Sequence, residues 1–250
     1  MSELTYSAII RIAKLGFRAL GQQISITGLE HLPRTGGALV AVNHVSYVDF
    51  IYGGLPVERI GRRPRFMAKR ELFDHRVTGP IMRACRHIEV DRSDGESSLG
   101  VALDNLRRGE VVGIFPEATI SRAMEIKTLK TGAARIAAAA AVPLVPVVLW
   151  GTQRMMTKDH PRDLSRGLAI TVRVGEPVPL EGDAVGDTAR LHAAMSGLLD
   201  TAIREYPQPE PAAWWLPARY GGTAPTLEEA ARTDAAERAA RAARKAEKSA

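Results

Sequence analysis

The chain has 250 residues, 45% apolar and 25% charged, with a formal net charge of +6 and a single cysteine. This is the composition of a soluble globular protein, long enough for one large α/β domain or two small ones. The lone Cys85 excludes an intrachain disulfide and any cysteine-cluster zinc site, and it fits a reducing compartment.

Residues 4–21, LTYSAIIRIAKLGFRALG, predict an amphipathic helix. Leu4, Ile9, Ile12, Gly16 and Leu20 group on an apolar side, with Arg11, Lys14 and Arg18 on another. Three cations inside eighteen residues exclude a membrane span and interrupt any signal-peptide centre. The helix either packs on the domain or lies on an anionic bilayer with its cations at the headgroups.

After the breaker Pro33-Arg34-Thr35-Gly36-Gly37, the run Ala38–Val42 reads as a buried strand. Ser46 then stands as an N-cap, with Asp49 where a capping carboxylate sits three residues later. Arg65–Ala68 reads as a short strand, and 73–85 as one helix or two broken near Gly79-Pro80. HIEV at 87–90 is a strand. SSLGVALDNLRRG has helical spacing at Leu99, Leu103 and Leu106 and closes on Gly109.

EVVGIFP at 110–116 is a buried strand, 132–141 a helix of high propensity, and 142–151 a strand. Pro143 and Pro146 restrict its ladder bonding and place at least part of it at an end or edge. A strand at 167–178 and a long helix at 187–206 complete the alternation. The expected fold is a single α/β domain at 24–206, with a mostly parallel or mixed central sheet flanked by helices. The amphipathic helix occupies 1–23. Residues 207–226, rich in Pro and Gly, wrap the surface and anchor through Trp214 and Trp215. Residues 227–250 read as a solvated or partly disordered charged tail without chemistry.

The positive charge is concentrated. Ten cations stand against four carboxylates between residues 59 and 92, which equals the net charge of the whole chain. An anionic partner follows: a lipid surface, a phosphorylated substrate or nucleic acid. Only Phe66 and Phe73 interleave with these cations and no nucleic-acid-binding signature accompanies them, so nucleic acid is not an expected partner.

His44 and Asp49 are the first candidates for chemistry. Imidazole, with an ordinary pKa of about 6.5, is the side chain best suited to act as a base near neutrality, and a carboxylate on its far nitrogen fixes the tautomer. Five residues of ideal helix turn through about 500°, so the pair meets only if His44 lies in the strand-to-helix turn and Asp49 in the first helical turn. No G-x-S-x-G elbow is present and Cys85 has no assigned base, which leaves a substrate hydroxyl or water as the group activated. The strand ending in Pro116 is followed by Glu117, Thr119, Ser121 and Arg122 at its carboxyl end, where open α/β sheets bind ligands.

Taken together, NHVSYVDF, FMAKREL, IEVDR, FPEATISR, LKTGAARIA and VPLVPVVLWGT resemble, in order and spacing, the blocks of the glycerolipid acyltransferases typified by lysophosphatidic acid acyltransferase. The likeness runs from about residue 24 to 178. It implies His44 as the base that deprotonates an acceptor hydroxyl, Asp49 as its orienting partner, and direct attack on the thioester of acyl-CoA or acyl-carrier protein as co-substrate. No cofactor or metal is implied. Asn43, Lys69, Arg92, Glu117, Thr119, Arg122 and Lys130 are the substrate-binding positions it suggests, with Arg92 a phosphate ligand and Glu117 positioning the acceptor or supporting the site.

Two departures stand out. Ala118 replaces the usual Gly, and Ile120 replaces the usual phosphate-binding Arg. Either Arg122 takes that role or the headgroup is held elsewhere, so the acceptor, a glycerol-phosphate or a lysophospholipid, stays open. The resemblance also implies peripheral attachment to an anionic membrane surface on its cytoplasmic face, through residues 4–21 and the 59–92 segment. A thioesterase using water and a non-catalytic anionic-lipid-binding protein are the alternatives.

Overall fold

A computed structural model describes residues 2–90 and 95–247. In chain order the elements are α1 (Ser2–Ala19), β1 (Gln23–Thr27), β2 (Ala38–Val42), α2 (Asp49–Arg59), β3 (Pro64–Lys69), α3 (Arg70–Asp74), α4 (Thr78–Ala84) and β4 (Ile88–Val90). They continue with α5 (Gly95–Arg107), β5 (Val111–Ile114), α6 (Gly132–Ala140), β6 (Leu144–Trp150), β7 (Ala169–Val174), α7 (Ala184–Arg204) and α8 (Leu227–Glu247). Among the described residues seven strands form one sheet in the order β1-β7-β6-β2-β5-β3-β4. From β6 to β4 the strands run parallel; β7 opposes β6 and carries β1 parallel to itself. The chain belongs to the α/β class with a mixed sheet.

The central strand β2 shows why an unbroken apolar run was needed. Leu39 and Ala41 enter the core on one face, while Ala38, Val40 and Val42 enter the core on the other. A strand covered by helices on both sides has no polar face to alternate. One core is closed by α5, α6 and α7, the other by α2 and the inner side of α1. Tyr52 of α2 meets Phe17 of α1 with ring centroids 5.0 Å apart.

Three local expectations are revised. Pro143 does lie at an end, just before β6 begins at Leu144, but β6 is not an edge strand; it lies between β7 and β2 and is buried throughout. Pro146 is tolerated there because it faces β7, where that strand ends at Val174. Its carbonyl accepts the Gly175 N–H at 2.9 Å, and only the last rung lacks a donor. The helix break falls at His75–Val77, before Gly79 and Pro80, which sit in the first turn of α4. Strand β1, absent from the sequence reading, is short and half-exposed in alternation, a pattern weaker than its β7 pairing.

The inner face of α1 also differs from the expected grouping. Tyr6 is buried and donates to the Pro64 carbonyl, and Phe17 and Leu20 pack on the core. Ile12 and Leu15 point outward, 69% and 62% exposed, while Lys14 turns inward to Glu58. Many of the cations in 59–92 serve the fold: Arg62 caps the carbonyls of Pro33, Gly36 and Gly109, and buried Arg65 binds the Cys85 carbonyl. Arg83 binds that of Phe73. The exposed remainder includes Arg59, Lys69, Arg76 and Arg86.

Within residues 207–226, Ala213, Trp215, Leu216 and Ala224 are buried. Trp215 is buried against Trp150 and Tyr206 in edge-to-face contacts of 6.0 and 5.7 Å. The charged tail is helical as α8, but it is not simply solvated. Ala230 and Asp234 are buried on the domain.

Candidate active site

The carboxyl ends of the parallel strands β2, β5, β3 and β6 share one edge of the sheet, and the polar segments that follow them converge there. His44 comes two residues after β2 and Asp49 opens α2. The Nδ1 of His44 lies 3.0 Å from Asp49 Oδ2. The same oxygen accepts the backbone N–H groups of Val45 at 2.7 Å and Ser46 at 2.6 Å. Asp49 Oδ1 accepts the Thr152 hydroxyl at 2.6 Å.

Asp49 is fully buried, and its four donors hold it in one orientation. An oxygen already receiving two backbone N–H groups offers only acceptor capacity to the ring. In the neutral ring the proton therefore sits on Nδ1 and the lone pair on Nε2. Among the described residues Nε2 has no hydrogen-bond partner, and the His44 side chain is 22% exposed.

The expected cap is half realised. Asp49 reaches back to the Ser46 N–H as a capping carboxylate does, but the helix begins at Asp49, with Val48 in the cap position. Ser46 Oγ instead accepts the Val48 N–H and donates to the Met156 carbonyl. The turn thus drawn tight is what brings residues five apart into contact.

The ring of His44 stacks on Phe115, with centroids 4.4 Å apart, and Phe115 stacks on Phe66 at 5.6 Å. Gly113 makes the stack possible: a Cβ there would lie 2.5 Å from the Phe66 ring. Glu117 braces the loop from the other side. Its Oε1 accepts the His44 N–H at 2.8 Å and its Oε2 the Lys127 N–H at 3.1 Å. Burial pushes the Glu117 carboxyl up to about 7, against the opposing pull of these two N–H groups. Both oxygens are spent on backbone N–H groups. Ala118, with φ 61, occupies the left-handed region, which is the physical reason a glycine suits this position.

The remaining positions divide. Asn43 is fully buried and both ends of its amide pair with the backbone of Leu149, extending the β2–β6 ladder; it faces no open space. Lys69 ends β3 on the site's edge and is exposed; Lys130 is exposed, its N–H bound to the Pro116 carbonyl. Neither side chain hydrogen-bonds the dyad. Thr119 accepts from Lys127 Nζ at 2.5 Å. Ile120 is buried. Arg122, expected as a phosphate ligand, has its three nitrogens on the carboxylates of Asp159, Asp234 and Glu237. Arg92 lies outside the described residues.

Sequence reasoning missed Thr152, Lys127, Lys158, Asp234 and Glu237. Thr152 carried one local signal, the Gly151 before it: at φ 100, a Cβ there would lie 2.3 Å from the Ala169 carbonyl oxygen. The tail carboxylates carried none, because their partners lie more than seventy positions away.

Comparison with known proteins agrees with this geometry. The acyltransferase family model matches residues 23–150. The chain is 31% identical to the 1-acyl-sn-glycerol-3-phosphate acyltransferase of Bacillus subtilis (strain 168), over 73% of this chain and 87% of that one. It is 30% identical to the alpha 1-acyl-sn-glycerol-3-phosphate acyltransferase of Mus musculus, over 79% and 70% respectively. It spans about half the length of chloroplastic relatives such as LPAT1 of Arabidopsis thaliana, at 32% identity over 70% of this chain and 49% of that one. In fold it is similar to the crystal structure of the 1-acyl-sn-glycerophosphate (LPA) acyltransferase PlsC from Thermotoga maritima, with a TM-score of 0.63 and 23% identity over 79% of this chain and 80% of that one. The family model and these relatives place the chain in the acyltransferase family, as an acyltransferase of the lysophosphatidic acid acyltransferase type.

Proposed function

We propose that the protein transfers a fatty acyl group from a thioester, acyl-CoA or acyl-carrier protein, to a hydroxyl of a glycerol-phosphate or lysophospholipid acceptor. The His44–Asp49 contact at 3.0 Å, with Nε2 open, is the observation that carries this reading. Nε2 takes the acceptor proton as the hydroxyl oxygen attacks the thioester carbonyl. The tetrahedral intermediate then collapses, the C–S bond breaks, and the imidazolium returns its proton to the departing thiolate. Asp49, buried and fixed, stabilises the imidazolium in between. No protein nucleophile is required.

The decisive assay presents labelled acyl-CoA with glycerol 3-phosphate, lysophosphatidate, other lysolipids and neutral acylglycerols in turn. Acceptor-dependent ester formation is expected. Free fatty acid at the same rate with and without acceptor would make the enzyme a thioesterase, and no thioester consumption at all would leave only a lipid-binding role.

Membrane-surface binding belongs to the same proposal. No helix among the described residues is long and apolar enough to cross a membrane. Ile12 and Leu15 face outward between Arg11 and Arg18, and Leu72 on α3, Val77 between the helices and Ile81 on α4 are also exposed, with α1 lying against α4. This is the pattern of an interfacial face with headgroup-seeking cations. Replacing Ile12 and Leu15 together by glutamate removes two insertions worth roughly 2 kcal/mol each. Flotation with anionic liposomes should then fall by about a hundredfold or more. Undiminished flotation would exclude α1 as the contact.

A further inference from the structure

Beside the base lies a second cluster of ion pairs. Arg122, Lys127 and Lys158 gather around Asp159, Asp234 and Glu237, three cations against three carboxylates. It adjoins the dyad directly: Lys127 shares Glu117 with His44, and the Ser121 N–H, next to Arg122, donates to the His44 carbonyl at 2.7 Å. Two of the carboxylates come from α8. Asp234 contacts all three cations and is buried, and Glu237, one turn on, binds Arg122 and Lys158 with one oxygen and the exposed Arg241 of α8 with the other. The Arg122 hydrogen bond and its neighbouring Lys158 hold the Glu237 carboxyl down at about 2.

The way α8 is attached gives this meaning. Among its described residues only Ala230 and Asp234 are buried, and with Glu237 they form one stripe at successive turns. One alanine offers little apolar area, so the ion cluster is what seats this helix. Two carboxylates also carry about the charge of one phosphomonoester near neutral pH. Exchanging the α8 carboxylates for a phosphate group would leave the charge balance around the three cations unchanged.

We propose that Asp234 and Glu237 are specificity-determining residues that occupy an anion subsite formed by Arg122, Lys127 and Lys158. A phosphomonoester on the acceptor enters this subsite only by displacing them. α8 sets the apparent affinity of this subsite. A subsite open a tenth of the time binds about tenfold more weakly than one always open. This rests on the reading of His44 as the base, because only then does the acceptor headgroup lie at this cluster.

The test measures binding and turnover separately on the full chain. Calorimetric titration with glycerol 3-phosphate, inorganic phosphate and glycerol compares the wild type with E237Q and with D234N/E237Q, each checked for folding by circular dichroism. Both phosphate probes are expected to bind at least about tenfold tighter to the double variant and to an intermediate degree to E237Q, whereas glycerol does not distinguish them. Adding K158M should cancel the gain. E237Q alone decides the matter if the double variant does not fold, since Glu237 is partly exposed. Unchanged or weaker phosphate binding in a folded variant overturns the proposal. A gain shared by glycerol overturns it as well. In turnover, the preference for lysophosphatidate over a neutral acylglycerol should rise with the same variants. Tighter phosphate binding without acyl transfer in any variant would retain the anion subsite and refute the base; transfer with unchanged binding would do the reverse.

Discussion

Replacing His44 by alanine is expected to lower kcat/KM for acyl transfer by about 10²- to 10⁴-fold, the range over which a positioned general base accelerates proton transfer. The fold should hardly notice. The ring is partly exposed and makes one side-chain hydrogen bond, to Asp49, and one stacking contact, to Phe115. Asp49 Oδ2 keeps its two backbone donors and Oδ1 keeps Thr152. The variant should therefore melt within a few degrees of the wild type and still bind acyl-CoA. Steady-state kinetics with the best acceptor, alongside a thermal melt, make the measurement. Activity within about threefold of wild type would refute His44 as the base.

Asp49→Ala should instead damage stability and activity together. Its removal orphans the N–H groups of Val45 and Ser46 and the Thr152 hydroxyl, all at a buried site, and the His44 ring loses its orientation. Unsatisfied buried donors cost about 1–3 kcal/mol each before relaxation, so a loss of roughly 3–5 kcal/mol follows, or about 10 °C in Tm for a chain of this size. Asp49→Asn separates the two effects. The N–H groups of Val45 and Ser46 demand an oxygen at the Oδ2 position, so the amide NH₂ is turned toward Thr152, whose hydroxyl can accept. The protein should then lose about 1–2 kcal/mol and the correct tautomer of His44 should survive. What disappears is the negative charge that stabilises the imidazolium. A fall of about 10- to 10²-fold in kcat, smaller than that of His44→Ala, is the expected result. A Tm unchanged in Asp49→Ala would contradict the hydrogen bonding described, and full kcat in Asp49→Asn would deny the carboxylate its electrostatic role.

The two predictions differ because one side chain is held by the turn and the other holds it. That distinction is not visible in NHVSYVDF. The spacing of His44 and Asp49 allowed contact on condition that a strand ended and a helix began between them, and both signals were local. The cap residue was less legible. Ser46 had the chemistry of an N-cap, but Met156, 110 positions away, claims its hydroxyl. Pro146 read as an edge signal for a similar reason: a missing N–H matters only on the side where a neighbour needs it, and the end of β7 decides that side.

The sequence by itself determined the α/β alternation, the burial of β2 on both faces, the turn that brings His44 and Asp49 together, and the isoleucine at 120. These follow from periodicity, breakers and side-chain chemistry within a few residues. Only the tertiary structure decided that Thr152 completes the hold on Asp49, that Glu117 braces the loop through backbone N–H groups, and that Arg122 is met by carboxylates from α8. Each joins groups distant in sequence whose local composition is indistinguishable from a solvated surface. Charge at Asp234 reads as solubility until folding buries it against three cations; its meaning lies in its neighbours.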